Sequence, residues 1–275
     1  MTRHAGMRSL LKYGRTLAMG MQNAMEYRAD FLLGMVSALF PMFLQYFLWS
    51  SIYALAKTPE IFGYTYSQML AYVIFANIVQ RLLRTYFEYE INEDIKNGGL
   101  DKFMVRPVGY FQYRMAAFFG SKLVHSLFMC LVIVAAVFIV NAIFGPIVTL
   151  VNALYFVVVL VLATFINFIV YFCVGMLGFW LTEIGFFFEA VRIVFIALSG
   201  GIFPLAVLGK GVESVLNWMP FRYTVNFPVD VLCGRVPDGD ILAGCLVMLA
   251  WTVPLGFLAW LMWRAGLKRY VAAGG

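Results

Sequence analysis

From Leu123 to Thr182 the chain carries one side chain of the Asp, Glu, Lys, Arg and His set, His125. A helix needs roughly 20 apolar residues to cross the hydrocarbon core of a bilayer. This stretch therefore holds two crossings, and the chain must turn between them. Gly145-Pro146, flanked by Asn141 and Asn152, is the natural break. Spans over 116–144 and 150–182 follow, joined as a tight hairpin. The remainder of the chain agrees. Of its 275 residues 63% are hydrophobic and only 12% charged, whereas soluble domains run near 45–50% and about 25%. A water-soluble globule is excluded, as is a disordered chain, which needs low hydrophobicity and high charge.

Four further spans complete the count. Residues 31–56 include an uncharged run with a possible kink at Pro41. A second span, 61–87, passes Arg81 and Arg84, whose long side chains can reach the interface. A fifth covers 184–208 and a sixth 239–263. The expected fold is an all-α polytopic membrane protein of one domain, residues 1–275, with six transmembrane helices. Lys and Arg set the orientation. With the N-terminus inside, fifteen of the 20 basic residues fall on cytoplasmic segments, four outside (Lys57, Lys210, Arg222, Arg235), and Arg192 within the fifth span. Both termini are then cytoplasmic. The net charge of +6 reflects this bias and does not call for nucleic acid.

Three segments are not simple spans. Residues 7–26 carry an apolar stripe (Met7, Leu10, Leu11, Gly14, Leu17, Ala18, Met21, Met25) opposite Arg8, Lys12, Arg15 and Gln22, the pattern of a helix lying on the cytoplasmic lipid surface. Residues 88–98 read as a short projecting helix. Its acids come early and Lys96 late, in keeping with the helix dipole, and Gly98-Gly99 end it. Its expected role is a docking knob in which Ile91 and Ile95 meet a partner. Between Ser199 and Asp240 lie Gly200, Gly201 and four prolines, with apolar pieces too short to cross. Short helices dipping into the outer leaflet over 199–238 fit this, as does an ordinary outer cap; non-helical backbone at membrane depth needs protein or a water-filled cavity around it.

The chemistry on offer is sparse. No Walker-type phosphate loop, HExxH or EF-hand occurs, and two histidines cannot build a multi-histidine metal site. The chain is therefore expected to hold no cofactor and no metal, and to have no catalytic residues. Cys130, Cys173, Cys233 and Cys245 form no CxxC and read as small buried hydrophobes. The first residues lack the apolar core of a cleavable signal peptide. His125 reads as a hydrogen-bonded structural residue. Glu189 and Arg192 stand three apart in the fifth span and can pair on one helix face. Intramembrane charges are costly and often functional. A substrate path or gate is thus placed at Phe187, Glu189, Arg192, Phe195, Gly200, Gly201, Phe203 and Pro204. Phe186, Phe187, Phe188, Phe195 and Phe203 would give it an aromatic wall suited to hydrophobic or amphiphilic molecules.

Taken together, three segments carry a resemblance: INEDIKNGGLDKFMVRP (91–107), WMPFRYTVNFPVDVLCG (218–234) and WRAGLKRYVAAGG (263–275). In this order, with an amphipathic N-terminal helix and six spans, the chain resembles the permease subunit of bacterial ABC exporters of the second type, in the branch whose ATPase is a separate chain. The resemblance implies a pair of permeases, identical or homologous, enclosing a path. Two ATPase subunits below would hold ATP and magnesium. It makes the helix around Glu90, Ile91, Asn92, Glu93, Asp94, Ile95, Lys96 and Asn97, with Gly98, Gly99 and Leu100, the coupling helix. It also implies a bacterial inner-membrane location and outward movement of substrate. The competing readings are an ion-coupled carrier, which calls for inverted repeats and several intramembrane acids, an intramembrane lipid-modifying enzyme, which calls for converging reactive side chains, and a channel, which calls for a filter-like loop. None of these signatures is evident.

Overall fold

The computed structural model describes residues 14–19, 21–22, 28–56, 58–105, 108–181 and 184–270, with side chains omitted for 28–38. The fold is mostly helical. Helix α1 (Arg28–Leu55) leads into a two-stranded hairpin, β1 (Glu60–Ile61) and β2 (Tyr64–Thr65), then α2 (Tyr66–Leu83), α3 (Phe87–Lys96) and the one-turn α4 (Asp101–Met104). The long helices α5 (Tyr110–Phe144) and α6 (Leu150–Met176) follow. After them come α7 (Gly185–Leu198), the short α8 (Lys210–Leu216) and α9 (Asn226–Leu232), and α10 (Asp238–Leu267).

Local chemistry sets these boundaries. Helix α5 ends at Gly145, whose φ of +87° stops it. The Asn141 side chain then ties off the turn, accepting from the Val148 N–H and donating to its carbonyl. Thr149 caps α6 through the Asn152 N–H. The sequence break at Gly145-Pro146 thus lies where it was read. The 61–87 span does not run as one helix. Its first residues make the antiparallel hairpin, in register Glu60↔Thr65 and Ile61↔Tyr64, with Phe62 and Gly63 both at positive φ as a two-residue turn demands. Thr65 and Gln68 then form a reciprocal capping box that starts α2.

Among the described residues three helices are long and apolar enough to cross a membrane: α5, α6 with its 3₁₀ extension to Phe179, and α10. Within α1, Leu39–Leu55 is a shorter apolar helix. The 14-residue α7 is about 21 Å long, well short of the roughly 30 Å core. The expected 184–208 span is therefore not a single helix, because the chain turns at Ser199–Gly201. Helix α6 sits in the middle. Of its most apolar window 56% is buried, against 17% for α5 and for α10. Helices α3, α9 and α10 all pack on α6, whereas α1 and α5 pack on α2. The outward faces of α5 and α10 show large apolar residues such as Leu131, Phe138, Val253 and Phe257. Water would not tolerate such surfaces; lipid tails or another membrane helix would.

Among the described residues two large packing clusters fill most of the bundle, with a small third around Val174, Ile184 and Phe188. At the hairpin end, Met69, Tyr72 and Phe75 of α2 meet Val159 and Ile166 of α6 and Phe227, Val229 and Val231 of α9. At the α3 end the cluster is aromatic: Phe87, Tyr110, Phe118, Phe168 and Phe172, with Trp263 stacked on Tyr110 at 5.1 Å. The segment between α8 and α9 reaches halfway down the bundle. Trp251, in the middle of α10, donates to the Trp218 carbonyl at 2.8 Å, and Phe221 meets Phe195 of α7. Most of the 7–26 amphipathic helix lies outside the described residues. Residues 14–19 and 21–22 are helical, and the Leu17 backbone abuts Gly120 of α5.

Candidate functional site

The helix expected to couple to a partner is α3, and its seat decides its role. Glu88, Ile91 and Ile95 share one face at the i, i+3, i+7 spacing. All three are buried, Glu88 and Ile91 completely. That face lies on α6. A Cβ at Gly175 would sit 3.0 Å from Ile91 Cβ and 3.2 Å from Glu88 Cα, so glycine is what lets the two backbones approach. This corrects the expectation for Ile91 and Ile95. They anchor α3 within its own chain and do not face a partner. The face left outward is polar: Glu90, Glu93, Lys96 and Asn97 are exposed, with Asn92, Asp94, Gly98 and Gly99 half-buried. Gly98, at φ +71°, turns the chain out of the helix, and the Leu100 N–H bonds back to the Asp94 carbonyl at 3.2 Å. Leu100 is buried. Arg106 and Pro107 lie outside the described residues.

Charges lock this seat on both sides. Arg114 of α5, nearly buried, pairs with Glu90 and, at 2.5 Å, with Asp94, which also accepts from the Tyr110 hydroxyl at 2.9 Å. On the other side, Arg192 of α7 meets Glu88 at 2.5 Å and Glu189 at 2.9 Å, and donates to the Thr85 carbonyl at 3.2 Å. The Glu189–Arg192 pair is thus present as expected, yet its larger role is to reach α3. Burial holds the Glu88 carboxyl above the ordinary glutamate range, with the Arg192 guanidinium pulling the other way. Glu88 was missed as a site residue. An acid placed on the apolar face with Ile91 and Ile95 was the available signal that a buried cation awaited it.

A cavity of about 330 Å³ opens beside this tie. Its wall is built by α1 (Pro41), α2 with the residues after it (Asn77, Gln80, Arg81, Leu83, Arg84, Thr85), α6 (Asn167, Tyr171) and α7 (Glu189, Arg192, Ile193, Phe195, Ile196), closed by Ser199 and Val225. Three of the expected path residues, Glu189, Arg192 and Phe195, line it. Phe187 does not, and Phe186 is 97% exposed. The aromatic wall expected from the Phe186–Phe188 run therefore does not form, because successive helix positions point in different directions and only Phe188 turns inward, against Tyr89, Val174 and Ile184 and away from the cavity lining.

The far side of the cavity is held by the other expected group. Gly200, buried at φ +80°, presents its carbonyl to the Tyr72 hydroxyl at 2.6 Å, and Asn226 donates to the same hydroxyl at 3.0 Å. The Gln80 side-chain amide donates to the Gly201 carbonyl. Pro204 is buried and Phe203 half-buried; neither lines the cavity. Beyond them, Asp230 of α9 accepts from the Tyr64 hydroxyl at 2.9 Å and pairs with Arg235 at 3.4 Å, while Arg235 stacks over the Tyr64 ring. His125 bonds the Ser121 carbonyl through Nδ1, as a structural histidine does. Among the described residues no group of metal-binding side chains occurs.

The arrangement is a chamber lined by both charged and apolar side chains within an apolar bundle. One side is fastened to a surface helix through Arg192, the other to a glycine turn. A family model described as ABC-2 family transporter protein matches residues 39–274, most of the chain, from within α1 through α10. Among curated proteins none matches. The chain belongs to the ABC-2 family of transporter proteins, as an integral membrane permease subunit without an ATPase site of its own.

Proposed function

We propose that the chain carries a hydrophobic or amphiphilic, lipid-like molecule out of the cytoplasm or the inner leaflet, driven by ATP hydrolysis in a separate subunit. Two permease chains, identical or homologous, would enclose the path, and two ATPase subunits with ATP and magnesium would bind at α3. The chain would cross the bacterial inner membrane six times, through α1, α2, α5, α6, α7 with the segment after it, and α10. Both termini would be cytoplasmic. The basic residues support this orientation: Lys102, Arg114, Lys122 and Arg264 gather at the α3 end, where positive charge belongs on the cytoplasmic side.

One observation carries the reading. Arg192 is both a wall of the cavity and the partner of Glu88 on the helix offered to the ATPase. A push on α3 must therefore be felt in the chamber. Interior packing is bistable and not freely deformable, so a small displacement at one wall becomes a switch between arrangements. At the other side, the Tyr72–Gly200 and Gln80–Gly201 bonds are the natural elements to open.

Purification of the tagged chain from native membranes, with mass spectrometry of its companions, tests this. A stoichiometric ATPase with a Walker motif, whose ATP hydrolysis drives substrate movement in proteoliposomes, is the expected outcome. A chain that purifies alone as a stable oligomer would overturn it.

A further inference from the structure

The permease reading leaves the chemistry of the cargo open, and the cavity wall supplies it. A helix C-terminus ordinarily draws cations to its unpaired carbonyls. At the end of α2 those carbonyls are taken. Lys122 of α5 donates to Leu82 and Arg84 at 2.5 and 2.6 Å, Asn167 of α6 to Leu83 at 2.8 Å, and Arg192 of α7 to Thr85 at 3.2 Å. The carboxylates nearby are taken too, since Glu88 and Glu189 both hold Arg192. Two cavity-lining guanidiniums are left, Arg81 and Arg84, one turn apart. Among the described residues neither forms an ion pair; Arg84 lies over the Tyr86 ring at 5.0 Å.

The lining therefore offers donors and excess positive charge at one side, with three arginines against one glutamate. On the α7 side it offers Ile193, Phe195 and Ile196. A guanidinium has five N–H donors and no acceptor, and its best complement is a planar or tetrahedral oxyanion. We propose that the cavity binds an anionic amphiphile, with a phosphate, sulfonate or carboxylate held by Arg81 and Arg84 and the apolar part against α7. The volume of about 330 Å³ is at the small end of ligand sites, which run from about 300 to 1,000 Å³. It suits a headgroup with the start of a chain. That this ligand is cargo rests on the permease reading; that it binds does not.

The test is binding without ATP, on the full chain with its native companions in phosphatidylcholine nanodiscs. Dodecyl phosphate is titrated against dodecyltrimethylammonium and dodecyl maltoside. The phosphate is expected to bind at least about tenfold more tightly than the other two, and to weaken about tenfold for each of Arg81→Gln and Arg84→Gln. Arg81→Lys and Arg84→Lys, which keep the charge, restore most of the affinity and serve where a glutamine variant fails to insert. Equal binding of all three amphiphiles to the unaltered chain, or phosphate binding indifferent to both glutamine variants, would overturn the proposal. Nanodiscs containing phosphatidylglycerol separate the two sources of such a headgroup. If the bilayer lipid occupies the site, it competes with dodecyl phosphate and stays on the unaltered chain, but not on Arg81→Gln/Arg84→Gln, in native mass spectrometry. If no competition appears, the ligand is a free amphiphile. An ATPase-coupled complex that ignores ligand charge sinks this proposal and leaves the permease reading intact. Charge-selective binding in a chain without an ATPase does the reverse.

Discussion

Replacing Arg192 by methionine should both destabilise the chain and uncouple it. In the folded state Glu88 has no exposed side-chain surface and Arg192 only 6%, and their closest atoms are 2.5 Å apart. Removing one partner of such a pair strands the other, at a cost of about 3–5 kcal/mol. Two features soften this. The Glu88 carboxyl already sits above its ordinary range through burial, so it can take up a proton and shed its charge. Glu189 is about half exposed and can turn to water. The expected loss for Arg192→Met is therefore near the lower bound, about 3 kcal/mol. Glu88→Gln keeps the shape and one hydrogen bond while Arg192 retains Glu189, and should cost about 1–2 kcal/mol. The double variant buries neither charge and should recover part of the loss, so the cycle should show a coupling of about 1–3 kcal/mol. Denaturant unfolding of the detergent-purified chain, followed by tryptophan fluorescence, measures each arm. Ligand-stimulated ATP hydrolysis in the assembled complex then reports coupling, which Arg192→Met should abolish while basal hydrolysis persists. Additive effects within about 0.5 kcal/mol, with stimulation intact, would refute the idea that α7 and α3 are joined through this pair.

Further outcomes are expected at three places in the fold. Ile95→Asp should lower thermal stability by about 3 kcal/mol or more, because it places a charge in the α3–α6 seam; Glu93→Lys with Lys96→Glu, on the exposed face, should instead weaken ATPase capture in a pull-down at a stability cost of no more than about 1 kcal/mol, the size of a helix-dipole effect. Gly200→Ala should cost about 1–3 kcal/mol in chemical unfolding, since its backbone is left-handed and a Cβ would fall 2.7 Å from the Tyr72 hydroxyl. The Asp230 carboxyl is pushed up to about 6 by burial, with Arg235 opposing. The folded chain thus binds that proton more tightly than the unfolded one, and its stability should rise as pH falls through 6 toward the unfolded value near 4. Asp230→Asn should flatten the pH profile of the melting temperature.

Much of the architecture was legible because it rests on local composition. The hairpin at Gly145-Pro146, the long apolar helices on either side of it, the last helix and the short amphipathic helix before Gly98 all follow from runs and periods within a few turns of chain. The β1–β2 hairpin was not legible, since Phe62 is an uncommon residue for a left-handed turn position. The inward face of α3 was harder still. Periodicity placed Ile91 and Ile95 together but could not say whether a partner or the chain's own α6 would cover them.

Amino-acid order alone determined that this chain must be buried in lipid. Apolar side chains expel water wherever they lie, and a helix satisfies its backbone from its own residues. Only the tertiary structure decided what the few charges do. Glu88 and Arg192 are 104 residues apart and Asn167 caps a helix 84 residues before it. In a low-dielectric interior each such group must find its complement in space, whatever its distance along the chain. Among the described residues the pairing leaves Arg81 and Arg84 as the chamber's arginines without an ion-pair partner.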